Sequence, residues 1–335
     1  MRVISGIQPT GSLHIGNYLG AIRQWVDFQK KEDTIFFIAD LHSLTVLQDP
    51  EKLQENIIET AIAYLALGID PQKSIFFVQS QVKEHTELCW ILNTVTPLGE
   101  LERMTQFKEK AKQFSAKGGS ASGGKENINA GLLIYPILQA ADILLYKANA
   151  VPVGKDQTQH IELTRTIARK FNQKFGKTFE EPKAILPKSG AKIMSLNNPK
   201  KKMSKSLGPN SYISLFEKPE EIKKKVMSAV TDTGKQIKYN PKSKPGISNL
   251  LIIYSLFSEK SIKETEKTFK GKGYAQLKKS LAELLINSLE PFRKKRQDYL
   301  ARKVYAQETL KIGAKRASRI AQTTMQEVNK KIGLV

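Results

Sequence analysis

Short runs of Ile, Val and Phe recur through the first half of the chain, each closed by turn residues and followed by a longer stretch whose apolar residues fall at helical spacing. Residues 3–7, 34–39 and 74–78 read as buried strands. Between them, residues 18–30 and 51–67 set Leu, Ile, Ala and Val on one helical stripe. Residues 151–153 supply another strand, which ends at Gly154 and leads into the helical stretch 157–174. Parallel strands cannot be joined by a hairpin, so strand alternating with helix predicts a parallel sheet with crossover helices. The expected fold class is α/β, with a Rossmann-type doubly wound parallel sheet.

Beyond Met194 the strand signals fade and Lys-rich amphipathic stretches take over, at 219–230 and 275–289. In the second, Leu277, Leu281, Leu284, Leu285 and Leu289 form one stripe that core packing explains without a special role. Pro291 is expected to break or kink this helix ahead of the basic cluster Arg293, Lys294, Lys295 and Arg296. That cluster is read either as part of a polyanion-binding field or as unengaged solvated surface. The pattern suggests a catalytic domain over 1–193 and a smaller all-helical domain over 194–299, with a helix at 300–335 able to pack back on the first. Residues 114–129, rich in Gly, Ser, Ala and Lys, read as a mobile loop between two helical patterns.

A length of 335 residues fits two domains sharing one body. The charge balance adds a partner class: 54 Lys and Arg against 32 Asp and Glu leave +22, a field that attracts polyanions, although a basic proteome produces the same balance. The single cysteine, Cys89, excludes an internal disulfide and a Cys-rich metal site, and suits a reducing cytoplasm. No stretch approaches the ~20 apolar residues of a membrane span. The expectation is a soluble cytoplasmic protein without membrane association.

Two polar stretches carry candidate chemistry. Residues 8–17, Gln-Pro-Thr-Gly-Ser-Leu-His-Ile-Gly-Asn, run from a strand end through a Gly-punctuated turn into a helix. Unpaired N–H groups at a helix start attract phosphate, Gly16 leaves room for a nucleotide, and the His14 imidazole can donate to phosphate oxygens. Residues 200–208 contain Lys202-Met203-Ser204-Lys205-Ser206. A lysine run is ordinarily a solvated loop, but beside a triphosphate two ammonium groups so spaced can clamp a leaving pyrophosphate. Residues 119–125 mimic a phosphate-binding loop, yet Glu126 stands where Ser or Thr is needed and no apolar strand precedes it, so that assignment is rejected. His85 and His160 have no ligand-spaced company and are left without a role.

His14-Ile15-Gly16-Asn17 and Lys202 to Ser206 resemble the two signatures of class I aminoacyl-tRNA synthetases, and the Asn17 ending is similar to the form in bacterial tryptophanyl-tRNA synthetases. The resemblance covers nearly the whole chain, through residues 99–107, 140–144, 152–157, 228–232 and 244–249. It implies activation of tryptophan by ATP, with magnesium carried by the nucleotide, and transfer to tRNA(Trp) by a homodimer whose helical half reads the anticodon region. It places ATP on Gln8, Pro9, Thr10, Gly16, Asn17, Gly154, Lys155, Asp156, Ile193, Lys202, Met203, Ser204, Lys205 and Ser206, with Lys202, Lys205 and His14 catalytic. Tryptophan would be held by Asp142, Gln8, Tyr135 and His42, with Asp142 on the indole nitrogen. Asp142 also stands out physically, because it is a carboxylate within the apolar stretch 138–145, where an unpaired charge is costly. Indole offers one N–H donor and no acceptor, so a fixed acceptor is the polar device that separates it from phenyl. Gln139, where many relatives carry Met, leaves the pocket floor open. The alternatives are a tyrosyl-tRNA synthetase, which shares the architecture, and a catalytically silent RNA-binding paralogue.

Overall fold

The computed structural model describes every residue except Thr10, Ser12, Leu47, 110–128 and 187–191. Five parallel strands form one sheet in the order β3-β2-β1-β4-β5: β1 Arg2–Ile7, β2 Asp33–Ile38, β3 Ser74–Val78, β4 Ala150–Pro152 and β5 Lys183–Ile185. The doubly wound parallel sheet expected from the pattern is present. Only β5 was not foreseen, because it is a short edge strand with two exposed residues and no apolar run. The supposed loop at 114–129 and the phosphate-loop mimic at 119–125 lie outside the described residues, apart from Asn129.

Period-two alternation places each strand residue. Ile35, Phe37, Ile75 and Phe77 pack into one core with Leu88, Ile143 and Phe171, while Phe36, Ile38, Phe76 and Val78 join Ile22, Trp25 and Tyr64 on the other face. Both faces are covered, so the strands read as continuous apolar runs. The helix opening at Ile15–Asn17 passes through a π-helical stretch, Tyr18–Ile22, into α1 Arg23–Phe28. Asp49 caps α2 Pro50–Ala66 by accepting from the N–H groups of Glu51 and Lys52. There follow α3 Glu84–Asn93, α4 Ala130–Leu144, capped by Asn129, and α5 Thr158–Phe175, which Gly176 ends.

The second half contributes α6 Pro219–Ser228, α7 Pro245–Ser258, α8 Ile262–Thr268, α9 Tyr274–Ala301 and α10 Lys303–Ile332. The leucine stripe of α9 is core: Leu277, Leu281, Leu285 and Leu289 are fully buried as α9 packs on α2, α6 and α7. Of the break or kink expected at Pro291, the break does not occur: α9 continues across it. The turn that a proline opens is tied by Arg293, whose Nη2 donates to Ile286 O at 2.7 Å and to Glu290 at 2.6 Å. Arg296 pairs with Glu59 at 2.5 Å and lies over the Phe216 ring. The basic cluster is therefore neither wholly solvated nor wholly available to a partner, since two of its four cations are spent inside the fold. Helix α10 packs on β3, α2 and α3, so closely that a Cβ at Gly313 would lie 1.8 Å from Phe76 O.

Candidate active site

The sheet changes direction of build between β1 and β4, and the carboxyl ends of those two strands open into one cavity of about 470 Å³. Such a switch point leaves a crevice because the crossovers on its two sides run away from each other. Gln8, Asn17 and Gly154 from the ATP set line this cavity together with Asp142, His42 and Tyr135 from the tryptophan set. Gln139 lines it too, as does Gln106. Gly6 is at its wall, where a Cβ would collide with the Phe37 ring. Lys155 and Asp156 sit exposed beside Gln106 in an adjoining hollow, and Thr10 lies outside the described residues.

The turn after β1 is locked by reciprocal capping. His14 Nδ1 accepts from Gly16 N–H at 3.1 Å, and Asn17 Oδ1 accepts from His14 N–H at 3.0 Å. A ring whose Nδ1 accepts must carry its proton on Nε2, so His14 keeps one N–H donor. Burial, then the Lys205 and Lys202 ammonium groups, lowers the His14 pKa to about 4, which makes the imidazole neutral at physiological pH. The same turn is pinned to the chain following the lysine loop, with Ile15 N–H donating to Ile213 O and Leu215 N–H to Leu13 O, both at 3.0 Å. Tyr212 packs against the His14 ring and carries Lys225 over its own face, and Lys225 is paired with Glu217.

The lysine loop starts as a small hairpin, with Met194 opposite Lys202, and continues into a tight turn that Ser204 caps by accepting from Ser206 N–H. Met203 is buried and anchors it. Ile193 lies beside Gly16, and Lys205 Nζ comes 3.7 Å from where a Cβ at Gly11 would be. The fold thus converges the two signatures, about 190 residues apart in sequence, on one end of the sheet. Burial lowers the Lys205 pKa.

Asp142, on α4, is 2 % exposed. Its Oδ1 accepts from Gln79 Nε2 at 2.7 Å and from His85 Nδ1 at 2.6 Å, and its Oδ2 accepts from His42 Nε2 at 2.9 Å. Burial alone would raise the carboxyl, but the hydrogen bonds from His42 and His85 outweigh it and hold the pKa down to about 2. Tyr146 OH stands 2.8 Å from His85 Nε2 and completes the chain. A carboxylate offers about four acceptor sites, and among the described residues three are taken, which leaves one on Oδ2. Tyr135 OH, 3.2 Å from Gln106 Oε1 and 3.1 Å from His160 Nε2, is pushed up to about 12 by burial.

His85 and His160, left without roles from sequence, therefore belong to the support of the site, as do Gln79, Tyr146 and Gln106. A search for metal-ligand spacing could not find them, because their partners are a carboxylate and two phenols on other elements.

Residues 1–290 match the family described as tRNA synthetases class I (W and Y). A tryptophan–tRNA ligase of Caldanaerobacter subterraneus subsp. tengcongensis is 51% identical over 335 residues, covering 100% of this chain and 98% of that protein. Among solved structures, a tryptophanyl-tRNA synthetase of Mycoplasma pneumoniae is similar with a TM-score of 0.88 and 36% identity, covering 100% of this chain and 98% of that one. One from Campylobacter jejuni, complexed with ADP and tryptophan, has a TM-score of 0.83 and 41% identity, covering 99% of this chain and 100% of that one.

Proposed function

The chain belongs to the class I tRNA synthetases for tryptophan and tyrosine, and from that premise we propose that it activates L-tryptophan with ATP and transfers it to tRNA(Trp). The observation that sets tryptophan apart from phenylalanine is Asp142, an ionised acceptor at a cavity that also presents Gln8, Asn17 and Gly154, while the choice over tyrosine is supported by the full-length tryptophan–tRNA ligase relatives. An indole N–H pairs with that acceptor. Phenylalanine leaves it unpaired in a desolvated place, at a cost of several kcal/mol in discrimination.

The tryptophan carboxylate attacks the α-phosphorus of ATP; an acyl–phosphate bond forms, the α–β phosphoanhydride breaks and pyrophosphate leaves, and magnesium carried by the nucleotide would offset part of its charge. The terminal ribose hydroxyl of the tRNA then takes the acyl group and AMP departs. No covalent bond to protein is needed, so positioning and electrostatics supply the rate. The neutral His14 Nε2–H donates to phosphate oxygen, and Lys202 and Lys205 neutralise the departing charge. Pro9, Gly16, Gly154, Lys155, Asp156, Ile193, Met203, Ser204 and Ser206 complete the ATP site, while His42 and Tyr135 line the indole side.

Pyrophosphate exchange tested with each of the twenty amino acids is expected to favour tryptophan over tyrosine and phenylalanine by at least ~100-fold. Equal stimulation by tyrosine overturns the assignment. Lys205→Ala is expected to lower single-turnover adenylation by ~10²-fold or more with little change in tryptophan affinity. We further propose that residues 194–299 meet the anticodon region and that the chain works as a cytoplasmic homodimer. Trp90 at 73% and Leu98 at 58% exposure give it apolar surface to cover, and sedimentation is expected to return twice the chain mass. Among the described residues no helix is long and apolar enough to cross a membrane.

A further inference from the structure

We propose that Asn249 is a positioning residue for the lysine loop, its side-chain amide standing in for a neighbouring strand at the root of the hairpin that carries Lys202 and Lys205. The inference rests on the reading that this loop handles the triphosphate.

The root of the loop is a two-bond ladder. Met203 N–H donates to Ile193 O at 3.0 Å and Ser195 N–H donates to Lys201 O at 2.9 Å, bracketing Met194 opposite Lys202. In an antiparallel ladder the pair between two such bonds makes none of its own, and its N–H and C=O point away from the partner strand. Met194 therefore turns both groups outward from the hairpin, where they need partners. Asn249 supplies both: its Oδ1 accepts from Met194 N–H at 2.8 Å and its Nδ2 donates to Met194 O at 2.9 Å. A carboxylate, a hydroxyl or an apolar side chain of this size cannot offer a fixed acceptor and a fixed donor side by side, whereas an amide reproduces a peptide group.

Asn249 is itself held. It is 1% exposed on α7, and the start of that helix is pressed so tightly on residue 230 that a Cβ at Gly246 would lie 2.1 Å from Val230 O. Val230 N–H in turn donates to Leu196 O at 2.8 Å. Helix α7, residue 230 and the loop root thus form one unit, in which Asn249 fixes the place of Met194 and, across the ladder, the backbone of Lys202. Asn249 does not line the cavity at the switch point, so its influence on the reaction passes through the loop.

The test measures single-turnover adenylation and pyrophosphate exchange on the full chain for the native protein, Asn249→Ala, Asn249→Asp, Lys205→Ala and the Asn249→Ala/Lys205→Ala pair. Asn249→Ala is expected to slow adenylation by ~10- to 100-fold with the KM for tryptophan unchanged. The double variant is expected to be slower than Lys205→Ala by less than the factor that Asn249→Ala costs alone, because the two losses act through the same loop. Asn249→Asp keeps the volume and the acceptor but sets a carboxylate oxygen against Met194 O. Its rate relative to native protein is expected to be low near about pH 8 and to recover toward about pH 5.5, where a protonated carboxyl donates again. Native rates in both Asn249 variants, effects of Asn249→Ala and Lys205→Ala that multiply, or an Asn249→Asp defect that ignores pH each overturn the inference. A near-native rate in Lys205→Ala overturns the reading of the loop and this inference with it, whereas a native Asn249→Ala beside a slow Lys205→Ala removes Asn249 alone.

Discussion

At His14 one ring does two jobs, and the division between its nitrogens has a measurable consequence. Nδ1 caps the turn by accepting from Gly16, so protonating the ring removes that acceptor and adds a cation beside Lys205 and Lys202. The folded pKa of about 4 lies below the ordinary 6.5, so as pH falls the unfolded chain takes up the proton first. The stability this group contributes is complete above about pH 6.5 and is lost as pH falls toward about 4. Asn caps without titrating. Urea denaturation at about pH 7 and pH 4.5 is expected to show the native protein losing on the order of 2 kcal/mol more than His14→Asn over that interval. Equal losses in the two proteins would mean that His14 is not held neutral by the fold. At this scale the residues proposed to meet phosphate or indole were named from the two signatures and the family resemblance, and Gln8, Asn17, Gly154, Asp142, His42 and Tyr135 among them line one cavity. The parts played by His85, Gln79 and Asn249 were not legible, since each acts by holding a group 55 to 63 residues away in the chain, and nothing local marks that pairing.

Elements with a clean period were legible, and those that break a local rule were not. The strands at 34–39 and 74–78 came within a residue of β2 and β3 because both faces are buried, whereas β5 has too little apolar surface to declare itself. Helix α9 is the instructive failure. Proline inside a helix removes one N–H donor and crowds the preceding turn, which normally ends it. Here α9 continues unbroken across Pro291, and Arg293 reaches back to Ile286 O and Glu290 in the turn ahead of it. Arg293→Ala is accordingly expected to cost about 1–3 kcal/mol in urea denaturation, while Lys294→Ala and Lys295→Ala stay within about 0.5 kcal/mol of the native protein. Uniformly small effects would show that Pro291 is tolerated without that arginine. Gly313 on α10 gives the opposite contrast between propensity and packing. Alanine is the better helix former by about 1 kcal/mol, yet its Cβ would meet Phe76 O on β3. Gly313→Ala is expected to lose about 2 kcal/mol or more in spite of the propensity gain, and a more stable variant would contradict the close approach of α10 to the sheet.

Over the whole molecule the doubly wound sheet followed from alternation alone and the return of the last helix was expected, but its seat on β3 and the continuity of one core from Phe36 to Leu289 depend on contacts that no local pattern encodes. The net charge of +22 was visible at once and is the least specific signal in the chain. Its use can be separated from its origin, because phosphate contacts release counterions and buried small-molecule contacts do not. Binding of tRNA is expected to weaken steeply with salt, each neutralised phosphate contributing about 0.7 to 0.9 to the slope of log affinity against log salt, while tryptophan binding hardly responds. Within the 293–296 cluster, Arg293 and Arg296 are tied to Glu290 and Glu59, so replacing all four would damage α9 and its seat on α2. Lys294 and Lys295 are exposed and can be exchanged without that cost. The Lys294→Gln/Lys295→Gln pair is expected to weaken tRNA binding and flatten the slope by up to about two contacts, with pyrophosphate exchange unchanged. If affinity and slope both survive, these lysines are bystander charge, and the tRNA is met by other residues.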